Sequence, residues 1–375
     1  LSLPIKAWIT IARAFLRDNT KLLILDESSA ALDFDSTERL FKKMRELRDN
    51  GVAVFIVTHR IAELVRISDK ATVMRDGKDV GVLEKKDLNE KNLIGLMTGR
   101  AESGEKSTSV AVQTKTDKVV MRAENLVVWP ESKPVNFEVK RGEIVGVTGL
   151  DGNGQDDFVK ILAGVQESHG GTTEISDGNG KFIKYNSLND AKRNGISFVS
   201  GDRKKEGILP NLSIYENLVV PLYKKTSRGG FLGFVDWLEL NGIFDWEVDR
   251  LSIKTGPRDN LIGSLSGGNQ QKVMIARSFA QHPKILILND PARGIDVSTK
   301  RDLYVHLRKY VEEGNTVIFL SSELEEFIGL CPKVMVFRNG TVFDIFENEN
   351  VNADTLLEGM FGQTAGIGET TISSK

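Results

Sequence analysis

The strongest constraint on this chain is that part of it is written twice. LSLPIKAWITIARAF from Leu1 aligns with LSGGNQQKVMIARSF from Leu265, and LILDESSAALD from Leu23 aligns with LILNDPARGID from Leu286. The offset is 264 residues in the first block and 263 in the second. It persists where VTHR (57–60) faces LSSE (320–323) and VMRDG (73–77) faces VFRNG (336–340). One fold therefore occurs twice. A glycine-rich turn near Gly149 precedes the second copy, and its counterpart at the same offset would fall before residue 1. The sequence reads as a piece of a tandem protein lacking roughly the first 145 residues, if the repeats are of equal length.

In residues 1–100, apolar strand-like runs (22–25, 52–57, 71–74) alternate with segments of helical period, the signature of a parallel α/β sheet. Residues 101–117 are polar, rich in Ser, Thr and Lys, and read as a linker. The second copy is expected over 118–350 and a tail over 351–375, partly disordered because the stretch after Gly362 has little apolar content. Charge is balanced, 50 basic against 52 acidic side chains, which argues against a nucleic-acid partner. The single Cys331 cannot form an internal disulfide, and no apolar run reaches the ~18 residues that span a bilayer. The short apolar N-terminal stretch is accounted for by the repeat and is not a signal peptide.

The chemistry is carried by three motifs. EIVGVTGLDGNGQDDFVKILAG (143–164) orders a strand, a glycine turn and a helix, with Gly149, Gly152 and Gly154 spaced as a phosphate loop requires. Such glycines let backbone amides approach phosphate oxygens at a helix N-terminus. Where that pattern calls for Lys and Ser/Thr, this chain has Gln155 and Asp156, followed by Asp157. The cation is missing and negative charge is added, so any phosphate would be held weakly.

The second motif is a strand ending in acids. KLLILDE delivers Asp26 and Glu27 at the carboxyl end of a buried strand, where ligands bind in open α/β sheets, and the next strand ends at His59. Asp26 is placed to hold magnesium, and Glu27 to polarise an attacking water with His59 beside the γ-phosphate. In the second copy these columns hold Asn289, Asp290 and Ser322, each a weaker group for the same task. The third motif is LSGGNQQK (265–272), whose Ser266, Gly267 and Gly268 open a helix and offer amides to a phosphate. The first copy has Leu3 and Pro4 at that place, and Pro4 has no amide proton.

Together these motifs resemble the ATP-binding-cassette (ABC) ATPases, over residues 1–350. The resemblance implies an α/β P-loop NTPase fold, with one complete cassette behind the C-terminal half of another, and ATP with Mg2+ as cofactors. In that family two cassettes pair head to tail, each ATP lying between one phosphate loop and the other cassette's signature. Carried over residue by residue, one composite site uses Asp26, Glu27 and His59 with Ser266, Gly267, Gly268 and Gln270, Asp26 binding the metal. The other uses Gly149, Gly152, Asn153, Gly154, Gln155, Asp156 and Asp157 with Asn289, Asp290, Ser322 and the eroded LSLP. Asp33 and Asp296 resemble the D-loop residues that link the sites, and Trp129 is either an adenine-stacking ring or a core residue.

The signature LSGGNQQK, the stretch RDGKDVG (75–81), MTGR (97–100) and DRKKEG (202–207) are similar to those of monosaccharide importers for ribose, galactose or xylose. That resemblance implies a cytoplasmic ATPase, peripheral on the inner face of the membrane, driving permease subunits fed by a sugar-binding protein. Gly201 stands where these importers usually carry Glu, and the DGNGQ loop is also similar to that of nucleoside importers. With no phosphate-loop lysine, the chain alone is expected to turn ATP over poorly. A nucleotide-binding fragment without turnover is the alternative of another class.

Overall fold

The computed structural model describes residues 3–15, 20–26, 28, 32, 34–58, 61–75, 78–89, 92–93, 95–96, 116–223, 227–228, 234–293, 295 and 297–362. The chain divides into two compact units, Leu1–Lys106 with Asp296–Arg301 and Ser107–Ile295 with Asp302–Lys375.

In the first unit, helix α1 (Leu3–Phe15) leads to strand β1 (Leu22–Asp26), then α2 (Phe34–Asp49), β2 (Ala53–Val57), α3 (Ile61–Ile67) and a hairpin of β3 (Lys70–Arg75) and β4 (Lys78–Glu84). β1 and β2 pair in parallel, Leu22 opposite Ala53 through Asp26 opposite Val57. α2 buries Thr37, Leu40, Phe41 and Met44, one stripe at helical spacing, and its apolar members form a core with Ile11, Leu23 and Leu25. β1, expected to be buried throughout, buries only alternate residues.

The second unit opens with β5 (Val119–Val127), β6 (Val135–Lys140) and β7 (Ile144–Gly149), and then α4 (Gln155–Leu162), β8 (Gly170–Ser176), β9 (Phe182–Tyr185), α5 (Leu188–Arg193) and β10 (Ile196–Val199). A single π-helical turn, Arg203–Gly207, leads to α6 (Ile214–Val219), the two-residue strands β11 (Ser227–Arg228) and β12 (Phe234–Val235), and α7 (Trp237–Arg250). α8 (Gly267–Phe279), β13 (Ile285–Asn289), α9 (Val297–Glu312, in this unit from Asp302), β14 (Thr316–Leu320), β15 (Lys333–Arg338), β16 (Thr341–Glu347) and α10 (Ala353–Met360) complete it. α10 falls in the stretch expected as tail. Asn352 caps it by accepting from the Thr355 amide, and Leu356 and Met360 are buried one turn apart.

The main sheet has the order β10–β13–β14–β7–β15–β16, parallel except for the last pair. β7, β13 and β14 are buried at every residue, as strands covered on both faces must be, which explains runs such as ILIL and TVIFL. One face packs on α6, α7, α8 and α9. The other packs on α4 and on the antiparallel sheet β6–β5–β8–β9, with Phe158 of α4 edge-on to Phe137 and tilted against Phe337. This architecture brings the glycine loop after β7 and the ends of β13 and β14 to the carboxyl edge of one sheet, where ligands bind in such folds.

Candidate functional site

The glycine loop takes the expected backbone form. Gly152 and Gly154 have φ of +80° and +94°, a region costly for other residues, and Gly154 caps α4 without a side chain. A Cβ on Gly154 would stand 2.8 Å from the Gly340 Cα, so the loop lies flat on the β15–β16 turn. Asn153 stitches the two together: its carbonyl accepts from the Gly340 amide (2.9 Å) and its Oδ1 from the Asn339 amide (3.0 Å).

The side chains at the head of α4 are engaged with protein groups. The Gln155 amide group donates to the carbonyls of Gly149 (3.1 Å) and Leu150 (3.0 Å), while its buried Oε1 finds no partner. Asp156 is held from both sides, accepting from Asn289 Nδ2 at 2.5 Å and pairing with Lys160 Nζ at 2.6 Å. Burial works against the Lys160 charge, but Asp156 outweighs it and the ammonium is held above its ordinary pKa. Asp157 accepts from the Trp129 indole at 2.8 Å, and the half-buried Trp129 ring packs over Gly340 and against the core of the second unit.

At the other strand ends the second copy also satisfies itself. Asp290 sits at φ +48° and takes a hydrogen bond from Ser322 Oγ (3.1 Å), and desolvation pushes its carboxyl up, against the pull of Arg293. Gly201 explains itself through Asn289: a Cβ there would stand 3.2 Å from both the Asn289 carbonyl oxygen and its Oδ1. The two departures, Gly at 201 and Asn at 289, are thus one packing arrangement. A magnesium–phosphate group does not fit this loop. Both Asp156 oxygens are engaged, Asp157 holds Trp129, and no lysine replaces Gln155.

Ser266 caps α8 by accepting from the Asn269 amide, and Gly267 and Gly268 follow as its first residues. Gln270, expected to face the ligand, instead turns its amide back to the carbonyls of Leu265 (3.0 Å) and Ile262 (3.4 Å). In the first copy Asp26 ends β1 and is exposed. Glu27, His59, Asp33 and Asp296 lie outside the described residues. Sequence reasoning missed Lys160 and Arg203, whose partners lie far along the chain or on a neighbouring helical turn; only the basic residues of DRKKEG hinted at the second.

The family pattern described as ABC transporter matches residues 132–293. A ribose import ATP-binding protein of Clostridium perfringens is 33% identical over 353 residues, covering 94% of this chain and 69% of its own. That of Bacillus cereus is 36% identical over 350 residues, with 93% and 69% covered. Among solved structures, a dimeric ATP-binding cassette in a post-hydrolysis state with ADP and phosphate aligns at a TM-score of 0.53 and 24% identity, over 60% of this chain and 98% of its own. A nucleotide-free cassette from an ABC transporter aligns at 0.54 and 18%, over 64% and 95%. These two bear on the fold alone. On sequence likeness that runs through both copies, the chain belongs to the ABC transporter ATPase family.

Proposed function

We propose that this chain is the ATP-driven subunit of a monosaccharide importer and that its two copies divide the labour unequally. The carrying observation is the extended identity to ribose import ATP-binding proteins, 33–36% over more than nine-tenths of the chain. ATP with Mg2+ is the fuel. Asp26 would hold the metal, Glu27 would orient the attacking water and His59 would contact the γ-phosphate, while Ser266, Gly267 and Gly268 offer donors to a phosphate. Bound magnesium supplies charge neutralisation at the phosphates; the residues of the chain position the water and the proton acceptor. The second phosphate loop is a structural part, since its acids and amides are engaged with one another. Permease subunits at the inner face of the membrane, fed by a sugar-binding protein, would receive the conformational change.

The test is phosphate release by the whole reconstituted transporter. Glu27→Gln lowers turnover by about 100-fold or more, the scale of a lost general base, and Asp290→Asn leaves it nearly unchanged. Equal losses would overturn the division of labour. Uptake of labelled ribose, xylose and uridine by the same cells decides the substrate: Glu27-dependent uptake of uridine alone would replace the sugar reading with a nucleoside one.

A further inference from the structure

The DRKKEG segment carries a guanidinium that no step above uses. Residues 202–207 form the π-helical turn, with the Gly207 and Glu206 amides both donating to the Asp202 carbonyl. Isolated π turns recur at functional positions, because they carry a strain that a regular helix avoids. Arg203 leaves this turn and lies across the start of α8. Its Nη1 donates to the Gly267 carbonyl at 2.8 Å, and a Cβ on Gly267 would stand 2.9 Å from its Nη2. The first glycine of the signature is therefore the residue that lets a guanidinium rest on the backbone.

Arg203 is not there to form an ion pair. The neighbouring acids are engaged elsewhere: Asp202 accepts from the Lys205 amide, and Glu206 accepts from Ser200 Oγ at 2.5 Å. Arg203 Nε is buried without a hydrogen-bond partner, and burial lowers the pKa of the guanidinium. A half-buried cation that forgoes a carboxylate is held for its geometry. A second tie joins the same two elements further along: Arg277 of α8 donates to the Gly207 carbonyl, and Gly207 packs flat on Met274, whose side chain any Cβ there would overlap. The turn is thus clamped to α8 at its first residue and again two to three turns later.

We propose that Arg203 is a positioning residue that fixes the first turn of α8, so that Ser266, Gly267 and Gly268 are presented in one orientation set by the 202–207 turn. This rests on the reading that those three residues face a nucleotide phosphate. Arg203 acts through Gly267 and touches no reacting atom. Displacement of the 202–207 turn would be carried to the first turn of α8 through the Arg203–Gly267 contact.

Hydrogen exchange read by mass spectrometry on the full chain tests it, comparing peptides over 265–272 with peptides over 274–281. In Arg203→Met, which keeps side-chain bulk and loses the donors, exchange over 265–272 rises about tenfold, the scale of one hydrogen bond from a charged donor. Exchange over 274–281 stays as in the native chain. Arg203→Lys restores part of the protection, since an ammonium can give one bond without the fork. Gly267→Ala, which pushes the guanidinium away, reproduces the local loss without touching Arg203. Unchanged exchange over 265–272 in Arg203→Met overturns the proposal; so does an equal rise along all of α8, or Arg203→Lys behaving like Arg203→Met. Should Arg203→Met not fold, the Lys and Ala variants decide by the same criterion. Adding Mg-ATP separates the two readings. Absence of any ATP-induced protection over 265–272 in the native chain removes the nucleotide reading, while the contrast between variants still judges the positioning role.

Discussion

Two strand pairs with matching sequence columns meet different surroundings. β1 and β2 correspond to β13 and β14, and in both copies one face is packed: Leu23 and Leu25 are buried, as are Leu286 and Leu288. The opposite face differs. Ile24 is 61% exposed where its counterpart Ile287 is fully buried, and Phe55 is 58% exposed where Ile318 is fully buried. Leu22 and Val57 follow the same rule against Ile285 and Leu320. In the second copy this face is covered by Phe158, Val159, Ile161 and Leu162 of α4 and by the antiparallel sheet. The lesson is that a strand's residues record the layers its fold was selected with. In the first unit the apolar code for a second layer is present in strands that show that face to solvent.

The largest test of this contrast is a pair of identical truncations in matching columns. Ile287→Ala is expected to cost about 2–5 kcal/mol, the range for emptying a packed site beneath α4. Ile24→Ala is expected to stay within about 0.5 kcal/mol, as for a surface substitution. Denaturant unfolding of each variant checks both, and equal costs would break the comparison. The same logic makes Ile24→Lys a change that lowers binding of an apolar dye without loss of stability.

A second test concerns what close packing imposes on the second unit. Glu247 of α7 is buried, with Oε2 unpartnered and Oε1 3.4 Å from Arg250. Burial pushes its carboxyl from 4.5 up to about 7, with Arg250 pulling the other way. Between those values the unfolded chain releases the proton while the folded one keeps it. Stability of this unit therefore falls as pH rises through that window, by up to about 3 kcal/mol, and the loss is complete above about pH 7. Glu247→Gln should flatten this part of the pH profile, read as melting temperature between pH 4.5 and 8. A profile that keeps its slope would show that Glu247 ionises freely.

How much of this was legible in the sequence follows from how far apart the partners lie. The glycine turn, the strand ends and the signature helix are local, set by spacing and by caps such as Ser266, and they stand where the pattern put them. The closure of the second loop joins Asp156 to Asn289 across 133 positions, and no periodicity encodes that. Gln270 was placed in the site by resemblance alone, and its amide donates to the carbonyls of Leu265 and Ile262. α10 lies beyond the point where the repeat alignment ended, and its buried Leu356 and Met360 join the core of the second unit. The exposed columns of β1 and β2 could not be read at all, since their residues are those of a covered strand.

The smallest effect probes whether the second loop is inert because of its own side chains. Gln155→Lys with Asp156→Ser restores the cation and hydroxyl of an ordinary phosphate loop, and it frees Asn289 and Lys160 from the carboxylate they now share. The loop backbone needs no change, because Gly152 and Gly154 already hold the left-handed turn. Affinity for Mg-ATP, followed by titration calorimetry, should improve by about tenfold or more, equivalent to about 1.4 kcal/mol. Hydrolysis should not return with it, since Asp290 stays bonded to Ser322. If affinity does not improve, the barrier to nucleotide lies in the strand ends at Asn289 and Asp290 rather than in the loop, and the second copy was closed from the sheet outward.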